Sequence, residues 1–325
     1  MFSSSVLKSV SKPGRYSGGE FGQIIKDKEK VSARFAFCFP DSYEIGMSNL
    51  GMRILYGVLN KEDDIWCERV FAPWRDMEAK MRENGLLLTA HESGDEVRKF
   101  DFLGFTLQYE MCYTNVLNVL ELSGMPLYAA DRGEEFPIVI GGAVNPEPLA
   151  DFFDLFNIGE GEEMLPEIVR LYIEMKKKGA TKAEFLREAA RSISGVYVPS
   201  LYDVTYNEDG TIAAYTPKYP DVPVKVKKRI VEDIDKMYFP EAVVMPYVET
   251  VQDRIMLEVF RGCIRGCRFC QAGMIYRPVR EKSPETLLRQ AECLYKSTGY
   301  DEISLTSLSI SDYTRLAELT DGLID

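Results

Sequence analysis

Arg261-Gly-Cys263-Ile-Arg-Gly-Cys267-Arg-Phe-Cys270-Gln-Ala-Gly273 is the stretch on which the reading of this chain turns. Its Cys-x3-Cys-x2-Cys spacing offers three thiolates from one short loop, one fewer than a closed tetrahedral site needs. Three thiolates suit a four-iron, four-sulfur cube whose last iron keeps an open position. Zinc is the competing reading, but it wants a fourth Cys or His, or a carboxylate. The single histidine, His91, lies far upstream, and Cys38, Cys67, Cys112 and Cys293 are scattered singly. Three ordinary core cysteines would sit in an apolar run, whereas these sit among Arg265, Gly266, Arg268 and Gln271.

The flanks of the loop read as one βαβ unit. Ile255-Met-Leu-Glu-Val-Phe260 is a short apolar run of β type. Gly262 and Gly266 let the backbone wrap a bulky group where a Cβ would obstruct. Ser283-Pro284-Glu285 opens a helix, with an N-cap serine, proline at the first position and an acid in the first turn. That helix is expected to run to about Ser297, before Gly299, and Glu302–Leu308 alternates like a strand. Cofactor sites in such sheets lie at the carboxyl ends of the strands.

Arg-Gly-Cys-x3-Cys-x-Phe-Cys after a strand resembles the signature of radical S-adenosylmethionine (radical-SAM) enzymes. The resemblance implies that Cys263, Cys267 and Cys270 hold a [4Fe-4S] cluster. It also implies that S-adenosylmethionine (SAM) chelates the open iron and is reductively cleaved to methionine and a 5′-deoxyadenosyl radical. Phe269, just before the last cysteine, is expected near the adenine. The family often carries a Gly-Gly-Glu-like patch after the second strand. Thr306-Ser-Leu-Ser309 stands there instead, so Ser307 and Ser309 are candidate contacts to the SAM amine, with ordinary strand-end residues as the alternative. Arg277 and Arg280 are candidates for the SAM carboxylate. Between residues 261 and 282 the cations Arg261, Arg265, Arg268, Arg277, Arg280 and Lys282 face only Glu281, an excess expected to raise the cluster's reduction potential.

Upstream, apolar runs alternate with helical periodicity. Strands are expected at Ala33–Phe39, Ile65–Phe71, Leu86–Thr89, Phe102–Leu107, Pro137–Gly142 and from Leu155 toward Gly161. Helices are expected over Leu50–Leu59, Trp74–Asn84, Thr114–Leu120 and from Pro166 to about Lys178. This alternation is an α/β pattern, a Rossmann-like parallel sheet. Gly141 and Gly142 end one strand and Gly159 and Gly161 another, allowing a bulky ligand or a tight turn. In that order, ahead of the cysteine loop, these passages resemble the cobalamin-binding-type N-terminal domain of many radical-SAM proteins. The likeness includes Phe39-Pro-Asp-Ser-Tyr-Glu-Ile-Gly-Met-Ser-Asn-Leu-Gly51 and Gln108-Tyr-Glu-Met-Cys-Tyr-Thr-Asn115. The Phe39–Gly51 loop has no histidine, and His91 has Thr89 where a cobalamin motif has aspartate. Cobalamin binding and a degenerate scaffold stand side by side as alternatives.

The expected organisation is a cobalamin-binding-like domain over 1–195, a connector over 196–250, and the first βα units of a partial TIM-type radical-SAM barrel over 251–325. Residues Ser311 to Asp325 read as a final amphipathic helix. In the connector, Pro199, Pro217, Pro220, Pro223, Pro240 and Pro246 disfavour regular helix, and Asp209-Gly210 marks a hairpin. A radical-SAM barrel has six such units, so the sequence is read as the N-terminal part of a longer protein. At 325 residues and net charge −12, the chain is a poor non-specific partner for nucleic acid. It has no signal peptide pattern and no apolar run of membrane-spanning length. Seven cysteines beside a labile cluster imply a reducing, cytoplasmic setting without structural disulfides. Expected partners are small-molecule cofactors, an electron donor such as flavodoxin or ferredoxin, and an RNA or protein substrate. The opposing reading is a non-catalytic iron-sulfur or cobalamin-binding scaffold, or a truncated inactive fragment.

Overall fold

The computed structural model describes residues 2–143 and 145–324. A short helix, α1 (Ser4–Leu7), leads into the first strand, β1 (Ala33–Phe39). Then follow α2 (Tyr43–Met47), α3 (Leu50–Asn60), β2 (Ile65–Phe71), α4 (Arg75–Asn84), β3 (Phe102–Leu107), α5 (Tyr113–Leu122) and β4 (Ile138–Ala143). The strand β5 (Leu155–Asn157), helices α6 (Gly161–Lys177) and α7 (Lys182–Ser192) and the short β6 (Val196–Tyr197) complete the first unit. These strands form one sheet in the order β2-β1-β3-β4-β5-β6. The first five are parallel and β6 is antiparallel. Strands β2 and β3 are buried at every position, as a parallel sheet covered by helices on both faces requires. The order reverses at β1, which has β2 on one side and β3 on the other. In doubly wound sheets ligands bind beyond the carboxyl ends of the strands at such a reversal.

Local chemistry fixes the helix starts. Asn49 Oδ1 accepts the Met52 amide at 2.8 Å and caps α3. Thr181 and Glu184 form a reciprocal capping box on α7. Three expectations need correction. Leu86–Thr89 is not a sheet strand: Leu88 donates to the carbonyl of Leu122, and only Thr89 makes an isolated bridge, to Glu96. Helix α6 begins at Gly161, not Pro166. Glu162 and Glu163 occupy its first turn, where the free amides and the dipole favour acids, and Pro166 is carried inside the helix on its buried side. The last helix, α10 (Leu316–Ile324), starts later than Ser311 because a 3₁₀ turn intervenes at Ile310–Asp312.

Because β6 pairs with β5, the first sheet continues past residue 195 through Tyr197. The hairpin β7 (Tyr202–Tyr206) and β8 (Ile212–Pro217) follows. Its turn is closed by the Asn207 amide donating to the Thr211 carbonyl at 2.8 Å. From Lys218 to Arg254 the chain has no named helix or strand, yet it is anchored to both hydrophobic cores. Val243 packs in the second hydrophobic core and Val244 in the first.

The last unit contains β9 (Ile255–Glu258), β10 (Phe260–Arg261), α8 (Ala272–Ile275), β11 (Arg280–Glu281), α9 (Pro284–Thr298), β12 (Ile303–Thr306) and α10. Strands β9 and β12 are parallel, with Ile255 opposite Ile303 and Glu258 opposite Thr306. Ser283 caps α9, and Gly299, at φ +72°, ends it. The core here joins Leu257, Val259, Leu287, Leu294, Tyr313 and Leu319.

Candidate functional site

The three cysteines lie between β10 and α8, just beyond the carboxyl end of β9. Gly262 has φ +87°, and a Cβ there would stand 2.7 Å from the Pro278 carbonyl oxygen and 2.9 Å from that of Tyr276. Glycine at 262 therefore closes the base of the loop against its own return path. Gly266, at φ +51°, has open space where its Cβ would be. All three thiols are free; Cys267 is exposed, while Cys263 and Cys270 are half-buried. The Arg265 amide points at Cys263 Sγ at 3.4 Å. Among the described residues no three His, Cys, Asp or Glu side chains converge closely enough to hold a metal ion. The fit to an iron-sulfur cluster therefore rests on the donor set: three free thiols, without imidazole or carboxylate, on an accessible loop with room at Gly266.

Phe269 is 92% exposed, and Ile264 and Met274 beside it are also exposed, giving the loop an apolar outer surface. Ser307 and Ser309 follow β12, at the same strand ends as the cysteine loop. The Ser309 amide donates to Ser307 Oγ at 3.2 Å. Arg265 ties the two segments together, its Nε donating to Asp312 Oδ2 at 2.7 Å. That hydrogen bond, with Arg265's charge, holds the Asp312 carboxyl below the usual range.

The arginines divide. Arg277 is exposed at the loop's return. Arg280 is not available to SAM as the sequence suggested: both its Nη atoms bind Glu160, at 2.7 and 2.6 Å, and Nη1 also donates to the Val231 carbonyl. Arg261 is likewise engaged, with Glu258 at 2.8 Å and with Glu162. Lys282 Nζ is buried 3.7 Å from Glu258, over the Phe239 ring, without a hydrogen bond of its own. Burial depresses its pKa. The cationic surplus read from residues 261–282 is thus largely cancelled by acids from elsewhere. Burial would raise the Glu160 carboxyl, but the hydrogen bond from Arg280 and the charge of Arg261 hold it below its ordinary value. Glu160, Glu162 and Glu258 escaped the sequence reading. In Ile158-Gly159-Glu160-Gly161-Glu162 the acids beside the two glycines were the signal.

In the first unit, Gly141 and Gly142 do not make a ligand cradle. A Cβ on Gly141 would meet Phe153 and Phe156 at 2.9 Å, and one on Gly142 would meet Asn157 at 3.3 Å, so the protein's own side chains occupy both approaches. His91 is wedged between Tyr43 and Phe71, with ring centroids 5.7 and 5.0 Å away, and its buried Nδ1 has no partner. Burial, then the Arg69 charge, lower its pKa to about 4. The unfolded chain, with an ordinary His pKa of about 6.5, then binds more protons than the folded one between those values. Stability must fall as pH drops from about 6.5 to about 4, and His91→Gln should flatten the upper part of that limb in pH-dependent urea melts.

The carboxyl edge around the switch point is different. Ile45 after β1, and Tyr109 and Met111 after β3, are exposed apolar residues. Tyr109 Oη donates to Asp41 at 3.1 Å, and Asn115 Nδ2 donates to the Pro40 carbonyl at 2.9 Å, bracing the two loops against each other.

Two family models match the chain: "radical SAM proteins, N-terminal" over residues 51–199 and "radical SAM superfamily" over residues 257–325. The chain belongs to the radical-SAM superfamily. An uncharacterized protein of Methanocaldococcus jannaschii is 26% identical over 304 residues, which is 91% of this chain and 54% of that relative. Two solved radical-SAM structures share the fold. The cobalamin-dependent enzyme OxsB, bound to aqua-cobalamin and SAM, aligns with TM-score 0.51 at 16% identity, over 90% of this chain and 37% of OxsB. The methyltransferase TsrM of Kitasatospora setae, bound to cobalamin and a [4Fe-4S] cluster, aligns with TM-score 0.52 at 13% identity, over 90% of this chain and 50% of TsrM. This radical-SAM chain therefore spans about half or less of the length of these proteins. Its fold is that of a radical-SAM protein with a cobalamin-binding-like N-terminal domain.

Proposed function

We propose that Cys263, Cys267 and Cys270 hold a [4Fe-4S] cluster and that the protein reductively cleaves SAM to begin radical methylation or another modification of its substrate. The observation that carries this is the three-thiol loop, free of other ligand types, at the carboxyl ends of β9 and β12 within a matched radical-SAM segment. Once bound, the cluster supplies the electron that cleaves the sulfonium of SAM. The chain's own part is to bind and orient. Phe269 offers an exposed ring for the adenine, Ser307 and Ser309 offer polar groups for the methionyl amine, and Arg277 offers a cation for the carboxylate. An external donor such as flavodoxin or ferredoxin reaches the cluster from the exposed side of the loop.

Cobalamin is the proposed second cofactor. The support is the fold and the apolar Ile45, Tyr109 and Met111 beside the switch point, a surface on which a flat macrocycle packs. His91 is wedged between Tyr43 and Phe71 and is not among the residues that would hold the group. An RNA or protein is the proposed substrate class, and the cytoplasm the proposed setting; no helix among the described residues is long and apolar enough to cross a membrane.

Anaerobic reconstitution with iron and sulfide, followed by dithionite and SAM, tests the reading. Cluster absorbance with formation of 5′-deoxyadenosine is the expected result. Cluster formation without SAM cleavage favours the scaffold reading for these residues, and failure to bind iron refutes the site. Added hydroxocobalamin should comigrate with the protein on gel filtration.

A further inference from the structure

Glu160 and Glu162 stand at the junction of β5 and α6 in the first unit, yet their partners flank the cysteine loop about 100 residues later in sequence. Arg280 meets Glu160 through two parallel hydrogen bonds, the fork geometry in which guanidinium binds carboxylate most specifically. Arg261 bridges Glu162 and Glu258, with Glu160 3.5 Å away. Lys282 completes the set beside Glu258. Three carboxylates and three cations thus face one another, and all six side chains are at most 18% exposed. Ion pairs this deep are screened little by solvent, and removing one member leaves an uncompensated buried charge.

The geometry around the junction shows why it is rigid. The connector backbone runs directly over Gly159, where a Cβ would stand 2.0 Å from the Arg229 carbonyl oxygen. The Val231 amide donates to Glu160, whose own amide donates to the Arg229 carbonyl at 3.1 Å. Lys228 then donates to the carbonyls of Ile275 and Arg277 on the return of the cysteine loop. One strip of connector is therefore fastened to the first domain on one side and to the loop on the other.

We infer that Glu160 and Glu162 are positioning residues for the cysteine loop: they hold Arg261 and Arg280 against the N-terminal domain and cancel their charge. The inference about charge rests on the reading of Cys263, Cys267 and Cys270 as cluster ligands, and the inference about positioning does not. Arg261 lies two residues before the first cysteine, so its uncompensated charge would act directly on the cluster. Two opposite effects follow. Neutralising Glu160 or Glu162 leaves a surplus of positive charge and raises the cluster's reduction potential, whereas neutralising Arg280 leaves a surplus carboxylate and lowers it. A generally loosened loop would not produce shifts of opposite sign.

The test has two arms. In the cluster-free chain, hydrogen exchange is followed for wild type, Glu160→Gln with Glu162→Gln, and the charge swap Glu160→Arg with Arg280→Glu. The double glutamine variant should exchange about ten-fold or more faster at residues 229–231 and 260–282, with β1 to β4 unchanged as the internal control of folding. The swap should recover part of the protection. Unchanged exchange, or equal loosening of β1 to β4, overturns the positioning role. In the reconstituted protein, redox titration of Glu162→Gln and Arg280→Gln should move the potential up and down respectively, at unchanged iron content. Shifts of the same sign, or none, overturn the electrostatic role. If wild type takes up no cluster, the cluster reading has failed, and the exchange arm still decides whether these acids hold the loop.

Discussion

Alanine at any one of Cys263, Cys267 and Cys270 is expected to abolish stable cluster binding and reduce 5′-deoxyadenosine formation to background, while the chain stays folded. The reason is ligand arithmetic. Three thiolates are already the minimum for a cube with one open iron, so no spare donor exists in the loop, and His91 is wedged between Tyr43 and Phe71 in the other unit. Losing a direct ligand costs more than the roughly 10–100-fold loss seen when only an outer hydrogen-bond partner is removed. Folding should be nearly unaffected, because Cys267 is exposed, its two neighbours are only half-buried, and none belongs to either hydrophobic core. Iron and sulfide analysis after reconstitution, beside an unfolding curve, separates the two effects. Cys293→Ala, on α9 outside the loop, is the matched control and should keep its cluster.

Arg69→Met should destabilise the chain by about 3–5 kcal/mol, the largest loss expected from a single side chain here. Arg69 sits on β2 with its side chain 3% exposed, and both of its carboxylate partners are fully buried. Its Nε binds Glu92 Oε1 at 2.6 Å and its Nη2 binds Glu20 Oε2 at 2.6 Å. Its backbone amide also donates to Glu92 at 2.7 Å. Methionine keeps much of the bulk but strands two carboxylates in a place water does not reach. Burial alone would raise the Glu20 carboxyl, but the Arg69 charge now offsets it and holds Glu20 below its ordinary range, so without Arg69 burial favours neutral Glu20 and the deficit should shrink as pH falls. Urea denaturation at neutral and mildly acidic pH checks both the size and the trend; a deficit independent of pH would mean that packing, and not charge, sets the loss.

Much of the architecture was legible because it depends on local rules. Continuous apolar runs at Ala33–Phe39, Ile65–Phe71 and Phe102–Leu107 become doubly covered parallel strands, and Ser283-Pro284-Glu285 becomes the start of α9. Leu86–Thr89 misled because a short apolar run also satisfies a segment that packs beside a sheet without joining it. The charged pair Glu68-Arg69 inside β2 gave no sign that both would be buried, since Glu68 finds Arg34 on the neighbouring strand and Arg69 finds Glu20 and Glu92 from separate loops. At the site, ligand identity was readable because the three cysteines share one loop. Arg280's partner was not, because Glu160 is 120 residues away. Charge counted along a segment overstates the field wherever folding brings in the opposite sign. The glycine pair at 141–142 failed for a related reason: a missing side chain reports a close approach but not whether a ligand or a phenylalanine makes it.

Val243 and Val244 give the connector an unexpected mechanical property. Adjacent residues commit to different cores, with Phe239 and Met245 also beside the second and Val226 and Val248 beside the first, so the connector crosses between the two units more than once. A long segment poor in regular structure would ordinarily act as a flexible tether, letting two bodies tumble independently. Here it acts as a seam, and drawing the units apart would take Val243 or Val244 out of its core and into water. Because Arg261 and Arg280 tie the same boundary to Glu162 and Glu160, access to the cysteine loop must come from movement of individual loops and not from the bodies drifting apart.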